Sequence, residues 1–231
     1  MSAFFVTSSG TGMGKTLVTA ALCRQLRAQG KAVEALKPII SGYDLESAPE
    51  SDTHVLLDAL GGAITGESVA EMSPWRFAAP LSPDMAAARE GKAISFEDLL
   101  AHGRKAITES DGVLLIEGVG GVMVPLDENH TVLDWMAALE VPALLVTGSY
   151  LGSLSHTLTA AKAITEAGIP LVGVVVSESE DCPVPVEESV ETLERFMPGV
   201  PLSIVPRQTN EIDWNAVPDL TNLLNGVHNS C

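Results

Sequence analysis

Short runs of β-branched and leucine residues alternate along the chain with longer segments whose apolar positions recur every three or four residues. The short runs predict strands at 3–7, 32–36, 112–116, 142–147, 171–177 and 201–205. The longer segments predict helices at 16–29, 96–109, 153–167 and 186–197. Three of the strand segments are apolar on both faces, which is typical of parallel strands covered by helices on both sides.

Alternation of strands and helices predicts an α/β fold, in which a doubly wound and mostly parallel sheet forms the middle of three layers. Ligands bind such a sheet beyond the carboxyl ends of its strands, so we expect functional residues directly after each strand. The segment 38–95 contains a Gly-Gly pair and several prolines, and we expect an excursion with short helices there. We expect one domain over residues 1–231, with the last dozen residues loosely ordered.

The turn after the first predicted strand is rich in glycine and leads into a helix. It reads Ser8-Ser9-Gly10-Thr11-Gly12-Met13-Gly14-Lys15-Thr16, a variant of G-x-x-x-x-G-K-[ST] with Ser9 at the first glycine position. Backbone N–H groups in such a loop cradle phosphates, Lys15 reaches the outer phosphates, and Thr16 offers a hydroxyl to Mg²⁺. An ordinary turn before a helix is the alternative. The strand and helix on either side favour a phosphate site in a P-loop NTPase-like fold.

Charged residues follow two further predicted strands. Lys37 follows the second strand and could hold an anionic group as a point charge, or could be a solvated lysine that begins a loop. Glu117 ends the third strand and precedes a glycine-rich turn, which places a carboxylate near the phosphate loop. Asp52 could be a further ligand or a helix N-cap. We predict that Thr16, Asp52 and Glu117 bind Mg²⁺.

Composition narrows the classes of partner. The chain has 231 residues, a net charge of −17 and only 13 basic residues, which argues against nucleic acid and against anionic membranes. Its cysteines, Cys23, Cys182 and Cys231, form no disulfide framework, which suits a reducing compartment. No signal-peptide pattern and no apolar run of spanning length is visible, so we expect a cytoplasmic protein.

The turn after the fourth predicted strand, 147–155, leads into a helix whose free N–H groups could bind a carboxylate. His156 follows this turn, but no nearby residue spacing makes it the base of a nucleophile, so a packed or solvated histidine is the better interpretation. No spacing of His, Cys, Asp or Glu along the chain is typical of zinc.

Several blocks of residues occur together and in order over nearly the whole chain. They are the phosphate loop, Lys37-Pro38-Ile39-x-Ser41-Gly42, Ser51-Asp52, Pro80-x-Ser82-Pro83, Glu117-Gly118-x-Gly120-Gly121, Leu151-Gly152 with Ser155-His156, and a late strand that ends at Ser177. In these blocks the chain resembles the dethiobiotin synthetase family. The lysine block and the glutamate block are together far more specific than the phosphate loop alone.

The resemblance implies a homodimeric ligase of biotin biosynthesis that uses ATP and Mg²⁺. Its substrates would be 7,8-diaminononanoate and CO₂, and its product the ureido ring of dethiobiotin. One amine takes up CO₂ as a carbamate, ATP phosphorylates the carbamate oxygen, and the second amine closes the ring and releases phosphate.

The resemblance also implies a role for individual residues. Lys37, Lys15 and Thr11 would be catalytic, and Ser41, Lys37 and Gly120 would bind substrate. Nucleotide would be bound by Gly12, Met13, Gly14, Lys15, Thr16, Leu17, Glu117, Gly118, Ser177 and Pro206. The neighbouring subunit would supply Gly152, Ser153, Leu154 and Ser155 for the substrate carboxylate. The chain departs from the family pattern at Ser8, Gly12, Ser155 and Ser177, where members often carry glycine, an acid, asparagine and asparagine.

Two other functions share parts of this pattern. Partitioning or scaffold ATPases of the deviant phosphate-loop type carry a signature lysine where this chain has Gly10, and their membrane-binding members end in a basic amphipathic helix that the segment after Asp219 does not resemble. ATP-dependent amidoligases of the cobyrinate type usually carry a further glutaminase domain, for which 231 residues leave no room. Both alternatives are less favoured.

Overall fold

The computed structural model describes residues 2–44, 48–208 and 212–229. The strands are β1 (Ser2–Ser8), β2 (Val33–Leu36), β3 (Ile39–Ser41), β4 (Trp75–Phe77), β5 (Val113–Glu117), β6 (Ala143–Gly148), β7 (Leu171–Ser177) and β8 (Leu202–Val205). The α-helices are α1 (Lys15–Ala28), α2 (Asp52–Leu60), α3 (Gly66–Met72), α4 (Pro83–Arg89), α5 (Phe96–Glu109), α6 (Val132–Leu139), α7 (Ser153–Glu166) and α8 (Val186–Phe196). Two 3₁₀-helices cover Ala48–Glu50 and Thr221–Asn229.

Six strands form one sheet in the order β2-β5-β1-β6-β7-β8, and all its neighbouring pairs are parallel. The six strands and four helices predicted from the hydrophobic pattern are all present, with ends within one residue of the prediction. The predicted doubly wound α/β sheet is therefore confirmed.

The central strand β1 lies between β5 and β6, so both of its faces are covered. Phe4 and Val6 pack into the apolar layer that contains α1 and α2, whereas Phe5 packs into the layer that contains α5 to α8. Phe5 meets the buried Trp135 edge to face, with ring centroids 4.8 Å apart. This double burial fixes the carboxyl end of β1, where the glycine-rich loop begins.

The excursion between β2 and α5 contains the expected short helices and a small second sheet, in which β3 and β4 are parallel. Buried hydroxyls tie it to the end of β2. Ser73 donates to the carbonyl oxygen of Lys37 at 2.6 Å, and Thr53 lies 2.6 Å from Ser73. Because Thr53 is next to Asp52 in α2, these bonds fix the position of the Asp52 backbone relative to the Lys37 backbone.

Two elements differ from the sequence analysis. Helix α6 was not predicted; it has only eight residues, and its signal is a capping box between Thr131 and Asp134. The C-terminal dozen was expected to be loosely ordered; in the structure Leu220, Leu223 and Leu224 are buried and Thr221–Asn229 is a 3₁₀-helix. Cys231 and the rest of the terminus lie outside the described residues.

Among the described residues, no helix combines the length and the apolar character that are needed to cross a membrane. Cys23 is a buried free thiol within α1, and burial raises the pKa of this thiol to about 12. Cys182 is also a free thiol, in the loop before α8.

Candidate active site

The glycine-rich loop joins β1 to α1 at the carboxyl edge of the sheet. Gly12 and Gly14 have φ angles of 75° and 85°, a region that favours glycine. Gly14 is also the N-cap of α1, and a Cβ added there would lie 2.9 Å from the Ser177 hydroxyl oxygen. The loop therefore needs glycine for both conformation and space, and it leaves the N-terminus of α1 facing the edge of the sheet where ligands bind.

Lys15 lies buried at the bottom of this loop. Its Nζ donates to the carbonyl oxygen of Gly120 at 2.8 Å and to the hydroxyl of Ser8 at 3.1 Å. Burial, and next the positive charge of Lys37, lower the pKa of Lys15 to about 8, against the opposing effect of Glu117 and Asp52. Lys15 therefore changes its charge close to neutral pH.

Lys37 lies between two carboxylates at the ends of β2, β5 and α2. Its Nζ donates to Glu117 Oε1 at 2.8 Å and to the carbonyl oxygen of Gly118 at 2.7 Å, and it lies 3.1 Å from Asp52 Oδ2. Three acceptors match the three protons of an ammonium group. The Lys37 side chain is 3% exposed and that of Glu117 is fully buried, whereas the Asp52 side chain is 41% exposed.

These contacts set the ionisation of the cluster. Burial favours neutral Lys37, but Glu117 and Asp52 outweigh it and hold the pKa of Lys37 above its usual value. Burial likewise favours protonated Asp52, but the charge of Lys37, the nearby Thr16 hydroxyl and the charge of Lys15 hold the pKa of Asp52 below its usual value. The lysine and the aspartate are therefore both charged at neutral pH.

Thr16, Asp52 and Glu117 suit a magnesium ion by their chemistry. Thr16 donates to Glu117 Oε1 at 2.8 Å, and the other carboxylate oxygen, Glu117 Oε2, is buried without a hydrogen-bond partner. No group of three His, Cys, Asp or Glu side chains could bind a metal within the described ranges. Mg²⁺ does not need one, because it usually takes one or two carboxylates together with phosphate oxygens and waters. The orphaned oxygen and the Thr16 hydroxyl fit that donor set.

A cavity of about 600 Å³ opens beside these charges. The phosphate loop, from Thr11 to Thr16, forms one wall, and Lys37, Ser41 and Asp52 belong to the facing walls. The remaining lining residues are Ile40, Pro80, Leu81, Ser82, Pro83, Val119, Gly120 and Val124. The cavity therefore joins a phosphate cradle and a set of charges to an apolar chamber, as a site for a partly apolar anionic substrate would.

Several of these lining residues were missed by the sequence analysis. The hydroxyl oxygens of Ser41 and Ser82 are both buried without a partner, yet only Ser41 was predicted to bind substrate. The signal for Ser82 was the block Pro80-x-Ser82-Pro83, which contributed to the resemblance without a role of its own. Ser82 is the N-cap residue of α4 but makes no capping hydrogen bond. Ser8 lies behind this lining and was given no role; its hydroxyl accepts from Lys15 and donates to the Gly120 carbonyl oxygen at 2.8 Å.

A second cavity of about 260 Å³ lies on the other side of the phosphate loop. Leu17 and Ser177, both predicted to bind nucleotide, line it together with Gly12, Met13, Gly14, Gly148, Glu178, Ser179, Glu180, Arg207 and Gln208. Pro206 does not line it but is the neighbour of Arg207 in the chain. Because the two cavities share the residues Gly12 to Gly14, one elongated ligand could occupy both.

The structure does not bring the turn 152–155 into either cavity. Gly152 is the N-cap of α7 and Ser153 is its first residue. Leu151 is 85% exposed and Ser155 is also exposed.

Asp52 is not a helix cap, because Ser51 caps α2 by accepting from the backbone N–H of His54. His156 is exposed, and its Nδ1 lies 2.7 Å from the Tyr150 hydroxyl.

Comparison with known proteins identifies relatives that match nearly the whole chain. A family model described as an AAA domain matches residues 2–212. The ATP-dependent dethiobiotin synthetase BioD of Acidiphilium cryptum is 48% identical over 217 residues, which cover 94% of this chain and 96% of that protein. The BioD of Methylobacterium nodulans is 50% identical over 212 residues, with 90% of this chain and 94% of that protein covered.

Solved structures with the same fold are more distant in sequence. The septum site-determining protein MinD of Pyrococcus horikoshii, in complex with Mg-ADP, superposes with a TM-score of 0.52 at 20% identity, and covers 99% of this chain and 90% of its own. The cell division ATPase MinD of Pyrococcus furiosus gives a TM-score of 0.53 at 21% identity, with coverages of 90% and 84%. At these identities the likeness concerns the P-loop NTPase fold alone.

Proposed function

This chain belongs to the family of ATP-dependent dethiobiotin synthetases, and we propose that it closes the ureido ring of dethiobiotin from 7,8-diaminononanoate, CO₂ and ATP. The observation that carries the proposal is the convergence of Lys15, Thr16, Lys37 and Asp52 on one cavity, with the buried Glu117 in contact with Thr16 and Lys37. The high identity to dethiobiotin synthetases over nearly the whole chain supports the substrate assignment. Forming the ring makes two C–N bonds at the expense of one ATP, which makes the protein a ligase.

The two cavities would divide the substrates between them. ATP would lie across the phosphate loop, with its base beside Leu17, Ser177 and Pro206 and its phosphates on the N–H groups of residues 12–16. Lys15 would neutralise the outer phosphates. The diamine would occupy the larger cavity, where the apolar Ile40, Pro80 and Val124 suit a hydrocarbon chain.

Thr16, Asp52 and Glu117 would hold Mg²⁺, which when bound neutralises charge on the transferring phosphoryl group. The fit of this donor set rests on the unpartnered Glu117 oxygen and on the Thr16 hydroxyl beside it. The half-exposed Asp52 faces the cavity and completes the set.

The residues of this chain would act on the reacting carbamate mainly by position and charge. One amine of the diamine adds to CO₂ and loses a proton, which gives a carbamate anion. Lys37 would hold this anion by exchanging its longest contact, the one to Asp52, for a carbamate oxygen, while Thr11 and Ser41 supply hydroxyl donors at the cavity wall. The carbamate oxygen then attacks the γ-phosphate, and ADP leaves.

The second amine next attacks the carbonyl carbon of the mixed anhydride, phosphate departs with the former carbamate oxygen, and a proton is released from the nitrogen. No covalent bond to the protein is needed. Most of the rate would come from holding three reactants in one crevice and from charges that are in place before reaction.

The proposal includes a homodimer in which Gly152, Ser153, Leu154 and Ser155 bind the substrate carboxylate of the neighbouring subunit. The exposure of Leu151, Gly152 and Ser155 at the N-terminus of α7 supports it. We also propose one domain for residues 1–231, supported by two apolar layers on a shared sheet, and a cytoplasmic location, supported by the free thiols of Cys23 and Cys182.

The proposal is tested by incubating the purified protein with Mg-ATP, bicarbonate and diaminononanoate, and measuring dethiobiotin by mass spectrometry. We expect one ADP for each dethiobiotin, and no product when CO₂ is removed. Hydrolysis of ATP at the same rate without the diamine, and without ring formation, would contradict the proposal. The result would then favour an ATPase that uses this fold for another purpose.

A further inference from the structure

A chain of buried hydroxyl groups runs from the phosphate loop into the first turn of α7. Ser9 Oγ lies 2.8 Å from Thr147 Oγ1, and Thr147 Oγ1 lies 2.7 Å from Thr157 Oγ1. Thr157 in turn donates to the carbonyl oxygen of Ser153 at 2.7 Å. Thr147 and Thr157 are fully buried, and none of the three hydroxyls was singled out as a functional group by the sequence analysis.

The direction of these hydrogen bonds follows from counting protons. A hydroxyl has one proton, and Thr157 uses it on the Ser153 carbonyl. Thr157 therefore accepts from Thr147, which leaves Thr147 to accept from Ser9. The Ser9 proton points out of the phosphate loop toward β6, so Ser9 does not offer its hydroxyl proton to a phosphate.

Ser9 is therefore attached to β6 twice. Its backbone N–H donates to the carbonyl oxygen of Val146 at 3.0 Å, and its side chain donates to Thr147. The loop continues with Gly10, Gly12 and Gly14. Glycine has no side chain that could restrict its backbone to one conformation. The double attachment thus fixes Ser9 directly before the segment whose N–H groups would cradle phosphate.

We propose that Thr147 and Thr157 are positioning residues for nucleotide binding, which act through Ser9 to hold the start of the phosphate loop. The inference rests on the proposed nucleotide site. It also links that site to the first turn of α7, because Ser153 receives the last hydrogen bond of the chain. Neither threonine lines either of the two cavities described above, so each acts through another residue rather than on the ligand.

One hydroxyl of this hydrogen-bonded series can be removed without leaving another buried hydroxyl proton unpaired. In Thr147→Val, Thr157 keeps its bond to Ser153, and the partly exposed Ser9 can turn to water. The fold should therefore survive. Thr147→Ser keeps the hydroxyl and tests rescue. Thr165→Val is a control for the loss of a threonine hydroxyl, because the exposed Thr165 donates to a carbonyl four residues earlier in α7, as Thr157 does, but belongs to no such chain.

The experiment measures Mg-ADP affinity by titration calorimetry, with the melting temperature of each variant alongside. We expect Thr147→Val and Ser9→Ala each to weaken Mg-ADP binding about fivefold, the usual net effect of one hydrogen bond. The double variant should be no weaker than either single one, since both break the same chain. Thr147→Ser and Thr165→Val should bind as the wild type does.

Wild-type affinity in Ser9→Ala and Thr147→Val would overturn the inference, and so would an equal loss in Thr165→Val. Ser9→Ala keeps the test decisive if Thr147→Val fails to fold, because Ser9 is partly exposed, whereas Thr147 is fully buried. The proposed function fails separately: a wild-type protein that binds Mg-ADP but forms no dethiobiotin would contradict the reaction and leave this inference intact.

Discussion

Substitution of Lys37 tests the charge cluster and the proposed chemistry together. Lys37→Gln removes a positive charge that contacts Glu117 and Asp52 and leaves a fully buried carboxylate without its ion partner. Removing one partner of a buried ion pair costs about 3–5 kcal/mol of unfolding free energy. For a domain of this size, that corresponds to a fall in melting temperature of about 6–20 °C.

Magnesium should reverse part of this loss. If Asp52 and Glu117 bind Mg²⁺, the metal restores positive charge where Lys37 was removed, and it stabilises the folded state by mass action. We therefore expect Mg²⁺ to raise the melting temperature of Lys37→Gln more than that of the wild type. Dethiobiotin formation should fall at least about 100-fold even with saturating Mg²⁺, because one preorganised charge on a reacting anion contributes about 2.7–4 kcal/mol.

The assay is thermal unfolding in chelator and in Mg²⁺, with turnover measured under the second condition. Lys162→Gln is the control, because its exposed pair with Glu166 should contribute little to stability. A melting temperature for Lys37→Gln equal to that of the wild type in chelator would refute the buried ion pair. Full turnover in this variant would refute the contact between Lys37 and the carbamate.

Three further predictions follow from the same geometry. Glu117→Gln should raise the Mg²⁺ concentration needed for half-maximal turnover, and an unchanged Mg²⁺ dependence would remove Glu117 from the metal site. ATP affinity should fall as the pH rises through about 8, since Lys15 binds phosphate in its charged form and loses its proton there; calorimetry at pH 7 and pH 9 should show no such change in Lys15→Met. Mixing Lys37→Gln subunits with Ser155→Glu subunits should restore up to about half of the activity per mixed dimer, because one site is then built from two intact halves. Mixed dimers without activity would place the site within a single subunit.

The sheet was predictable because its strands carry their own signal. Segments such as 113–116 are apolar on both faces, as buried parallel strands are, and the strand that contains these residues lies within one residue of the prediction. Helix α6 was not predicted because its eight mostly apolar residues show too little helical periodicity. Only its capping box marks where it starts. The C-terminal 3₁₀-helix was not predicted because it is buried against a face of the sheet whose residues are far from it in the sequence.

Part of the site could be predicted, because a charged residue directly after a buried strand indicates a role at the ligand-binding edge of the sheet. Lys15, Lys37 and Glu117 follow strands that were themselves predictable, so their meeting at one edge of the sheet follows from topology. Their mutual contacts were not predictable. Lys37 and Glu117 are 80 positions apart in the chain, and Ser9 and Thr147 are 138 apart. Which hydroxyl or carboxylate completes a cluster at such separations depends on side-chain packing that no local pattern records.

The central claim is that the carbamate oxygen, and not water, receives the γ-phosphate. The most direct measurement supplies ¹⁸O-labelled CO₂ to the protein with Mg-ATP and diaminononanoate, and follows the label by mass spectrometry before it exchanges with water. The account predicts one ¹⁸O atom in the ureido carbonyl of dethiobiotin and one in the released phosphate. Phosphate that carries oxygen from water alone, with labelled or unlabelled product, would contradict it.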